Sequence, residues 1–322
     1  MNNDRPVVLV TRKLPPNVEA RLQRDYRPLL NADDRLYGSE ELLRLADGAD
    51  AILPCHTESL RTDVIARLPA SVRIIATFSV GHDHIDLAAA KARGIAVTNT
   101  PDVLADATAE ITMLLLLGAA RRASEGERLV RSGGWNTWSP SFMLGVQVTG
   151  KRLGIVGMGR VGQVTARRAR GFEMEVHYHN RTRLPPEREQ GAVYHADLDA
   201  MLPHCDFLAL HCPSTPDTAR LLNAARIARL PDGAVVVNAA RGSVVDEAAL
   251  LDALASGKLY AAGLDVFDNE PDIDPEFARR DNAFLLPHLG SATRETRDAM
   301  GFRALDNLDA FFAGNTPRDR LA

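Results

Sequence analysis

Cysteine is scarce in this sequence, and its spacing argues against two kinds of structural site. The 322 residues include three cysteines, Cys55, Cys205 and Cys212. They form no CxxC pair and show no metal-ligand spacing. We therefore expect no disulfide framework and no metal site, and we expect a reduced, cytoplasmic protein.

The chain also lacks a basic excess and a long apolar run. Its formal net charge of -4 provides no electrostatic footprint for nucleic acid and no polybasic membrane patch. The longest apolar run, Ile111 to Ala120, is too short to cross a bilayer. The N-terminal residues lead directly into a short apolar strand, without the pattern of a signal peptide. We expect a soluble protein with neither a nucleic-acid nor a membrane partner.

What is present is an ordinary globular composition, 45% hydrophobic and 25% charged, in a chain long enough for two domains. Short apolar runs alternate with helical patterns, which is typical of parallel sheets with crossover helices. In the first hundred residues the predicted strands are Val7–Thr11, Ala51–Pro54, Ile74–Phe78 and Ala96–Thr98. The predicted helices there lie near Asn17–Asp25, Glu40–Ala46, Thr62–Arg67 and Asp86–Arg93.

A long apolar helix is predicted next. Thr100-Pro101 breaks the alternating pattern, and Asp102 is the predicted N-cap of a helix that continues to about Arg122. The helix is apolar on nearly every side around Ile111–Leu117. We therefore expect it to be buried, either between domains or in a subunit interface.

A second series of strands fits a complete dinucleotide-binding sheet. Its predicted members are Arg152–Val156, Glu175–His179, Phe207–Cys212, Ala234–Asn238, Ala261–Val266 and Phe284–Leu286. The helix that follows, Thr293 to Ala313, is too little for a domain and should pack back on the N-terminal one. The predicted fold is therefore α/β, with two Rossmann-like or flavodoxin-like domains built on parallel sheets. A discontinuous substrate domain, 1–101 and 288–322, surrounds an inserted NAD(P)-binding Rossmann domain, 102–287.

A glycine-rich run marks the predicted cofactor site. Gly157-Met158-Gly159-Arg160-Val161-Gly162 follows a strand and begins a helix, which is the context that dinucleotide binding requires. The three glycines allow, in order, a tight turn, approach of the pyrophosphate and close helix–sheet packing. The helix N-terminus adds backbone amides and the positive end of the helix dipole. Taken alone, such a run is often only a glycine-rich turn; its placement here predicts a dinucleotide.

The end of the second strand in this domain favours NADP. A carboxylate expected there would accept a hydrogen bond from the ribose hydroxyl of NAD, but the run reads Asn180-Arg181-Thr182-Arg183. Asn180 does not repel a 2′-phosphate, and the three residues that follow could bind it through charge-assisted hydrogen bonds. The alternative is a solvated basic loop. We predict NADP as the preferred cofactor, with NAD possible.

Three polar residues follow β-rich runs in the last third of the chain, where an α/β sheet presents its chemistry. They are Arg241, Glu270 and His288. An arginine can hold a carboxylate, a histidine can exchange a proton, and a glutamate can orient the histidine. Each residue alone is weak evidence, because isolated arginines usually form surface ion pairs and Glu-Pro usually forms a turn. His56, His84 and His211 are interpreted as structural or solvated.

With these motifs in order, the chain resembles the D-isomer-specific 2-hydroxyacid dehydrogenases, and most closely their glyoxylate/hydroxypyruvate reductase branch. The resemblance covers nearly the whole chain. Its motifs are Ser79–Asp86, Ala107–Glu110, Gly157–Gly162, Asn238–Gly242, Gly263–Phe267 and Pro287–Thr293. It implies the discontinuous two-domain fold, a homodimer and R-configured products.

The resemblance also implies the roles of the three polar residues. Arg241 would grip the substrate carboxylate and polarise the 2-oxo group, for which a planar guanidinium is suited. His288 would be the general acid that donates the hydroxyl proton, or the base that accepts it in reverse. Glu270 would hold the imidazole and favour its charged form.

Further residues match binding positions of the family. Val80 and Gly81, at a strand-to-helix turn, would bind the substrate carboxylate through backbone amides. Trp138 would shape the pocket from the partner subunit, although a simple packing anchor is nearly as well supported. The remaining residues resemble cofactor-contacting positions, with Asp265 placed to bind the nicotinamide carboxamide. They are Thr108, Cys212, Pro213, Thr218, Ala239, Ala240, Asp265 and Gly290, and Cys212 is interpreted as a small buried residue rather than a nucleophile.

Several functions remain as alternatives to glyoxylate or hydroxypyruvate reduction. The substrate could be a bulkier 2-oxo acid, because the pocket beyond the carbonyl is built from dispersed residues. Formate dehydrogenases share the fold but pair the histidine with glutamine, and formate needs no proton transfer, so Glu270 argues against them. Phosphoglycerate dehydrogenases usually use NAD, and many carry a regulatory extension that is not seen after Ala322. A dinucleotide-sensing protein is disfavoured because the catalytic set is complete.

Overall fold

The computed structural model describes residues 5–322, which form two compact α/β units. One unit comprises residues 5–104 and Ala292–Ala322, and the other comprises Ala105–Ser291. These borders lie a few residues beyond those predicted from the strand pattern. His288 and Gly290 consequently belong to the same unit as Arg241 and Glu270.

The secondary structure alternates along the whole described chain. The strands are β1 (Val7–Val10), β2 (Arg27–Leu29), β3 (Ala51–Leu53), β4 (Ile74–Ala76), β5 (Ala96–Thr98), β6 (Arg152–Val156), β7 (Glu175–His179), β8 (Val193–His195), β9 (Phe207–Leu210), β10 (Ala234–Asn238), β11 (Leu259–Leu264) and β12 (Ala283–Leu285). The helices are α1 (Pro16–Asp25), α2 (Ser39–Leu45), α3 (Thr62–Arg67), α4 (Leu87–Ala92), α5 (Ala105–Ala120), α6 (Ala123–Arg131), α7 (Arg160–Arg170), α8 (Pro186–Glu189), α9 (Leu198–Met201), α10 (Ala224–Arg229), α11 (Glu247–Ser256), α12 (Pro275–Ala278) and α13 (Arg294–Phe312). Two 3-10 turns occupy Leu202–His204 and Gly242–Val244.

The first unit is built on a five-stranded parallel sheet with the order β2-β1-β3-β4-β5, the flavodoxin-like order. One face is covered by α1 and α13, and Met300, Leu305 and Leu308 of α13 are buried there against Val8 and Val10 of β1. The C-terminal helix therefore packs on the N-terminal unit, as predicted. The final residues also pair with β5, because Leu321 donates its amide to the Val97 carbonyl at 2.7 Å.

The second unit contains a seven-stranded parallel sheet with the order β12-β11-β10-β9-β6-β7-β8. This is the dinucleotide-binding order, and its direction reverses between β6 and β9. Ligands of such sheets bind outside the carboxyl ends of the strands at this switch point. The loop after β6, which starts at Gly157, therefore lies where a dinucleotide is expected.

Two edge strands were missed by the sequence reasoning. The structure has β2 in the first sheet, and its second sheet has seven strands instead of the predicted six because of β8. Each has three residues, and neither β2 nor β8 is a buried apolar run. Such short segments become strands by pairing with a neighbour, β1 or β7, and not through their own sequence pattern.

The helix α5 starts later than predicted. Asp102 is not its N-cap, since the helix begins at Ala105 and Asp102 has a left-handed backbone with φ 73°. Leu115, Leu116 and Ala119 are buried in the core of the second unit, whereas Leu114 is 46% exposed. Among residues 5–322, no helix combines the length and apolar character needed to cross a membrane.

Candidate active site

The three catalytic candidates follow three adjacent strands. Arg241 comes after β10, Glu270 after β11 and His288 after β12. These strands are parallel neighbours, so their carboxyl ends lie at the same edge of the sheet. The strand order therefore places Arg241, Glu270 and His288 at one edge of the sheet, although they are far apart in the sequence. This agrees with the expectation that polar residues at strand ends lie together.

Glu270 and His288 form a direct pair. The Glu270 Oε2 atom lies 2.6 Å from the His288 Nδ1 atom. The other carboxylate oxygen, Oε1, accepts the Phe267 amide at 2.8 Å, which fixes the carboxylate. Because a carboxylate only accepts hydrogen bonds, it selects the imidazole form with a proton on Nδ1. In this form Nε2 is the ring nitrogen on the side away from the carboxylate.

Asp265 holds the loop that carries His288, a role the sequence reasoning missed. The Asp265 carbonyl accepts the His288 amide at 2.8 Å. Its carboxylate accepts the amides of Leu289 at 2.6 Å and Gly290 at 2.8 Å. Burial raises the pKa of Asp265, and the two amide bonds lower it again in part. The carboxylate thereby restrains the backbone at His288, whose φ is 53°; its predicted contact with the nicotinamide carboxamide stays a prediction.

Asn238 organises the turn that presents Arg241. Its Oδ1 atom accepts the Ala240 amide at 3.0 Å, and its Nδ2 atom donates to the Arg241 carbonyl at 2.9 Å. The Arg241 Nη1 atom donates to the Ala240 carbonyl at 2.8 Å. Asn238 is almost fully buried, and buried polar groups in proteins are normally hydrogen-bonded. An asparagine at the end of an apolar strand was the sequence signal that could have identified this role.

The loops of Arg241 and Glu270 are in direct contact. A Cβ atom at Gly242 would lie 1.9 Å from the Phe267 carbonyl carbon and 2.2 Å from the Asp268 nitrogen. Only glycine allows this approach. At the start of α11, the Glu247 Oε1 atom also accepts the Asp268 amide at 2.9 Å. The loop that ends in Glu270 is therefore held by main-chain hydrogen bonds to two carboxylates.

An apolar cavity of about 360 Å³ lies beside this pair. Glu270 and His288 are its lining residues with polar side chains. Its apolar lining includes Phe267, Ile273, Leu285 and Leu286.

The glycine-rich loop has the shape that a dinucleotide pyrophosphate requires. Gly157 has φ 97°, and a Cβ there would lie 2.6 Å from the Cys212 amide nitrogen. A Cβ at Gly162 would lie 2.4 Å from the Gly157 carbonyl oxygen. A Cβ at Gly159, in contrast, would meet nothing within 4 Å, so the space above the second glycine is open. Since α7 starts at Arg160 with eleven residues, its N-terminus fits an anionic pyrophosphate.

Met158 and Asn180 support the loop from inside the unit. The Met158 side chain is buried, and its amide donates to the Asn180 Oδ1 atom at 2.7 Å. Asn180 therefore stabilises the glycine-rich loop. It occupies the position at which a carboxylate would indicate a preference for NAD. Arg160 and Val161 occupy the first turn of α7.

The basic residues after β7 have different surroundings. Arg183 makes two hydrogen bonds to Glu189, at 2.8 and 3.1 Å, and Tyr178 donates to the same carboxylate at 2.6 Å. Arg183 thus holds Glu189, although its side chain is 61% exposed, and its predicted contact with a 2′-phosphate stays a prediction. Arg181 and Thr182 are exposed. Arg181 makes no ion pair within residues 5–322.

The other predicted cofactor contacts lie on loops and on α5 of the same unit. Burial raises the pKa of Cys212 to about 11, consistent with a packing residue. Thr218 donates to the Pro213 carbonyl at 2.6 Å and holds that loop closed. Thr108 donates to the Gly290 carbonyl at 3.1 Å, so it supports the His288 loop from α5. Ala239 and Ala240 form the turn between β10 and Arg241.

The substrate-binding candidates Val80 and Gly81 follow β4 in the first unit, and both are half-buried. Trp138 lies in the segment after α6 of the second unit and is 75% exposed. The neighbouring Trp135 donates its indole N–H to the Thr137 carbonyl at 2.8 Å. Trp138 is therefore not a packing anchor within its own unit.

A Rossmann sheet with an open glycine loop, a second parallel α/β unit and a histidine–glutamate pair define a dinucleotide-dependent oxidoreductase. The chain belongs to the D-isomer specific 2-hydroxyacid dehydrogenases, whose NAD binding domain matches residues 113–290. The family resemblance predicted from the motifs is confirmed.

Relatives and solved structures resemble the chain over almost its entire length. It is 43% identical over 309 residues to the glycerate dehydrogenase of Hyphomicrobium methylovorum, covering 95% of this chain and 96% of that protein. It is 42% identical over 318 residues to the glyoxylate reductase of Pyrococcus furiosus, covering 97% and 94%. The NADPH-dependent glyoxylate/hydroxypyruvate reductase of Sinorhizobium meliloti, solved with NADP and malonate, superposes with a TM-score of 0.84 at 34% identity, covering 99% and 97%.

Proposed function

We propose that the protein uses NADPH to reduce small 2-oxo acids, such as glyoxylate and hydroxypyruvate, to D-2-hydroxy acids. The observation that carries this proposal is the 2.6 Å pair of His288 and Glu270, which follows strands adjacent to that of Arg241. The relatives named glyoxylate reductase and glycerate dehydrogenase support the same substrate class.

In this proposal each residue has its own role in the reduction of the carbonyl group. The bound nicotinamide supplies the hydride. Arg241 binds the substrate carboxylate, and the Val80 and Gly81 amides bind it as well. His288 donates the proton from Nε2 to the carbonyl oxygen, and Glu270 stabilises the imidazolium before the proton leaves. The Asp265 carboxylate keeps the His288 loop in place.

The carboxylate at position 270 supports carbonyl reduction over formate oxidation. Formate gives up a hydride without a proton transfer, so its oxidation needs no general acid. The hydrogen-bonded Glu270 and His288 form a proton-donating pair, which only the carbonyl reaction uses.

A bulkier 2-oxo acid is the second candidate substrate. The cavity of about 360 Å³ beside His288 and Glu270 has an apolar lining that includes Phe267, Ile273 and Leu286. Such a lining suits an apolar substituent on the 2-oxo acid better than a hydroxymethyl group or hydrogen.

One assay series separates these functions. NADPH oxidation is measured with glyoxylate, hydroxypyruvate, pyruvate and phenylpyruvate, and kcat/KM values are compared because their ratios define specificity. The proposal expects the two small polar acids to have the highest values. A higher value for phenylpyruvate would select the bulkier substrate, and no turnover with any acid would reject oxo-acid reduction.

NADP preference is part of the proposal. Asn180 carries no charge that repels a 2′-phosphate, and exposed Arg181 and Thr182 can bind one. The solved relative described as NADPH-dependent supports this choice. A kcat/KM with NADH equal to or above that with NADPH would reverse it.

We further propose that the protein is a homodimer. The second unit exposes large apolar side chains on α5, on α6 and in the segment that follows. They are Leu114, Val130, Trp135, Trp138 and Leu144. Their exposure supports the proposed interface, because covering large apolar side chains removes apolar surface from water, and Trp138 would enter the partner's substrate pocket.

A further inference from the structure

The turn that follows β4 has three successive carbonyl groups that are all bonded inside the first unit. The Ser79 carbonyl accepts the Thr100 amide at 2.9 Å. The Val80 carbonyl accepts the Asn99 Nδ2 atom at 2.8 Å, and the Gly81 carbonyl accepts the Ser79 hydroxyl at 2.7 Å.

Because peptide bonds are planar, the hydrogen bonds of these three carbonyls also fix the directions of the amides that follow them. The peptide bonds of this turn are trans, so the N–H of each residue points opposite to the carbonyl before it. The amides of Val80, Gly81 and His82 therefore point away from the groups that bind the carbonyls. Within residues 5–322, none of these three amides donates a hydrogen bond. Successive backbone amides without a partner in their own unit are the groups from which anion-binding sites are built.

The Ser79 hydroxyl is itself oriented by a chain of side chains. The Thr77 Oγ1 atom lies 2.9 Å from the Ser79 Oγ atom and 3.1 Å from the His84 Nε2 atom. The Ser79 hydroxyl donates to the Gly81 carbonyl, so its oxygen can accept the Thr77 proton, for which the Pro54 carbonyl at 3.3 Å is the other acceptor. All three side chains are buried, so the hydrogen-bond directions are set together.

Asn99 is anchored on its other side by the C-terminal helix. Its carbonyl accepts the Asn307 Nδ2 atom of α13 at 3.2 Å, and the same nitrogen donates to Asp319 at 3.0 Å. Arg303 pairs with that carboxylate. The backbone of Asn99, whose side chain orients the Val80 carbonyl, is thus held by a buried network from the C-terminal part of the unit.

We propose that Ser79 and Asn99 are positioning residues for the substrate carboxylate. They hold the carbonyls of the turn inward, so that Val80, Gly81 and a third donor, His82, offer their amides to one anion. This inference rests on the proposed function, in which Val80 and Gly81 bind the carboxylate of the 2-oxo acid. It adds the third amide and the two side chains that orient the turn.

The test combines kinetics with direct binding of oxamate, an unreactive carboxylate that resembles a 2-oxo acid. In Ser79→Ala and Asn99→Ala, KM for glyoxylate should rise roughly tenfold, as expected for one lost hydrogen bond. The kcat value and the KM for NADPH should change much less, because the carboxylate is bound equally in the ground and transition states. The Kd of oxamate, measured by calorimetry on the NADP-loaded protein, should rise by the same factor, and Ser79→Thr should restore it.

Asn282→Ala is the matched control. The Asn282 side chain also donates to two main-chain carbonyls, those of Leu254 and Tyr260, but in the other unit. It should leave KM for glyoxylate unchanged, whatever it does to the unfolding temperature. If Asn99→Ala fails to fold, the two Ser79 variants carry the test.

Two outcomes have different meanings. Wild-type KM and wild-type oxamate affinity in folded Ser79→Ala would overturn the positioning role. Failure of the wild-type protein to reduce any 2-oxo acid would instead reject the proposed function, and oxamate binding by the variants would still decide whether the turn holds a carboxylate.

Discussion

At the residue scale, two contacts fix the position of His288, the residue proposed as the general acid. His288 Nδ1 faces Glu270, and the His288 amide is bonded to Asp265. These contacts restrict both the tautomer and the backbone of the histidine. The Nε2 atom is the one proposed to exchange the proton.

Replacing His288 tests this assignment. A correctly placed general acid contributes roughly a hundred- to ten-thousand-fold in rate, so His288→Ala should lower kcat with glyoxylate by that factor while NADPH binding persists. Steady-state kinetics and NADPH fluorescence titration measure the two effects. His204→Gln, at an exposed histidine of the same unit, should keep wild-type kcat. A near-wild-type kcat in His288→Ala would contradict the assignment.

Arg181 and Arg188 form a matched pair for the cofactor prediction. Both are exposed, but only Arg181 directly follows the loop-supporting Asn180. Loss of a charge-assisted bond to a 2′-phosphate should raise KM for NADPH roughly ten- to a hundredfold in Arg181→Ala. The KM for NADH should stay constant, and Arg188→Ala should change neither value. An equal rise for both cofactors would show that Arg181 does not recognise the 2′-phosphate.

At the scale of elements, the active site depends on loops that touch across the ends of β10, β11 and β12. Gly242 is the closest of these contacts, with no room for a Cβ against the Phe267–Asp268 peptide. The loop that presents Arg241 cannot move without moving the loop that presents Glu270.

Gly242→Ala should therefore damage both stability and catalysis. Overpacking of this kind costs about 1–3 kcal/mol, and the displaced Glu270 should lower kcat as well. Urea unfolding and glyoxylate kinetics measure the two effects. The control is Gly38→Ala, where a Cβ meets nothing within 4 Å and φ is -70°. Wild-type stability in Gly242→Ala would show that the two loops separate easily.

The loop after β7 provides a pH-dependent contribution to stability. Hydrogen bonds from Arg183 and then Tyr178 lower the pKa of Glu189 to about 2, from the ordinary 4.5. A depressed carboxyl pKa stabilises the fold above the ordinary value, and the effect is lost as the pH falls from 4.5 towards 2. Glu189 should accordingly stabilise the protein at neutral pH and lose this effect in acid.

Glu189→Gln measures that contribution. Its urea midpoint should lie below that of the wild type by a constant amount from pH 7 to pH 5, and the gap should shrink between pH 4.5 and pH 2. Glu187→Gln, on the same short helix α8, is the control and should show no such gap. A gap that persists unchanged at pH 2 would exclude the carboxylate as its cause.

At the scale of the whole molecule, the proposed homodimer can be tested at the exposed apolar residues of the second unit. The chain mass is 35.0 kDa, so a dimer should elute at about twice that value in size-exclusion chromatography with light scattering. Leu114→Arg combined with Leu144→Arg should produce the monomer, because two buried unpaired charges are costly. Leu36→Arg, at a residue of the first unit that is 59% exposed, should leave the dimer intact. A monomeric wild type would reject the interface.

Much of the architecture could be predicted from the sequence because its signals are local. Buried parallel strands such as β6 and β10 are continuous apolar runs, and the glycine loop lies directly after one of them. The order of motifs along the chain was enough to predict the family. The edge strands β2 and β8 escaped because pairing, and not their own sequence, makes them strands.

The candidate site could likewise be predicted in part from local sequence patterns, while the rest depends on the folded structure. The sequence by itself determined the chemical groups: an arginine, a glutamate and a histidine, each after a strand, and an asparagine where NAD binding would favour a carboxylate. Only the tertiary structure decided which groups meet, because hydrogen bonds such as those of Asp265 to Leu289 and of Asn99 to Val80 join residues distant along the chain. It also decided that Arg183 is paired with Glu189, although Arg181 and Arg183 are both exposed. The sequence specifies the type of each side chain, whereas its hydrogen-bond partner depends on which loops the sheet brings together.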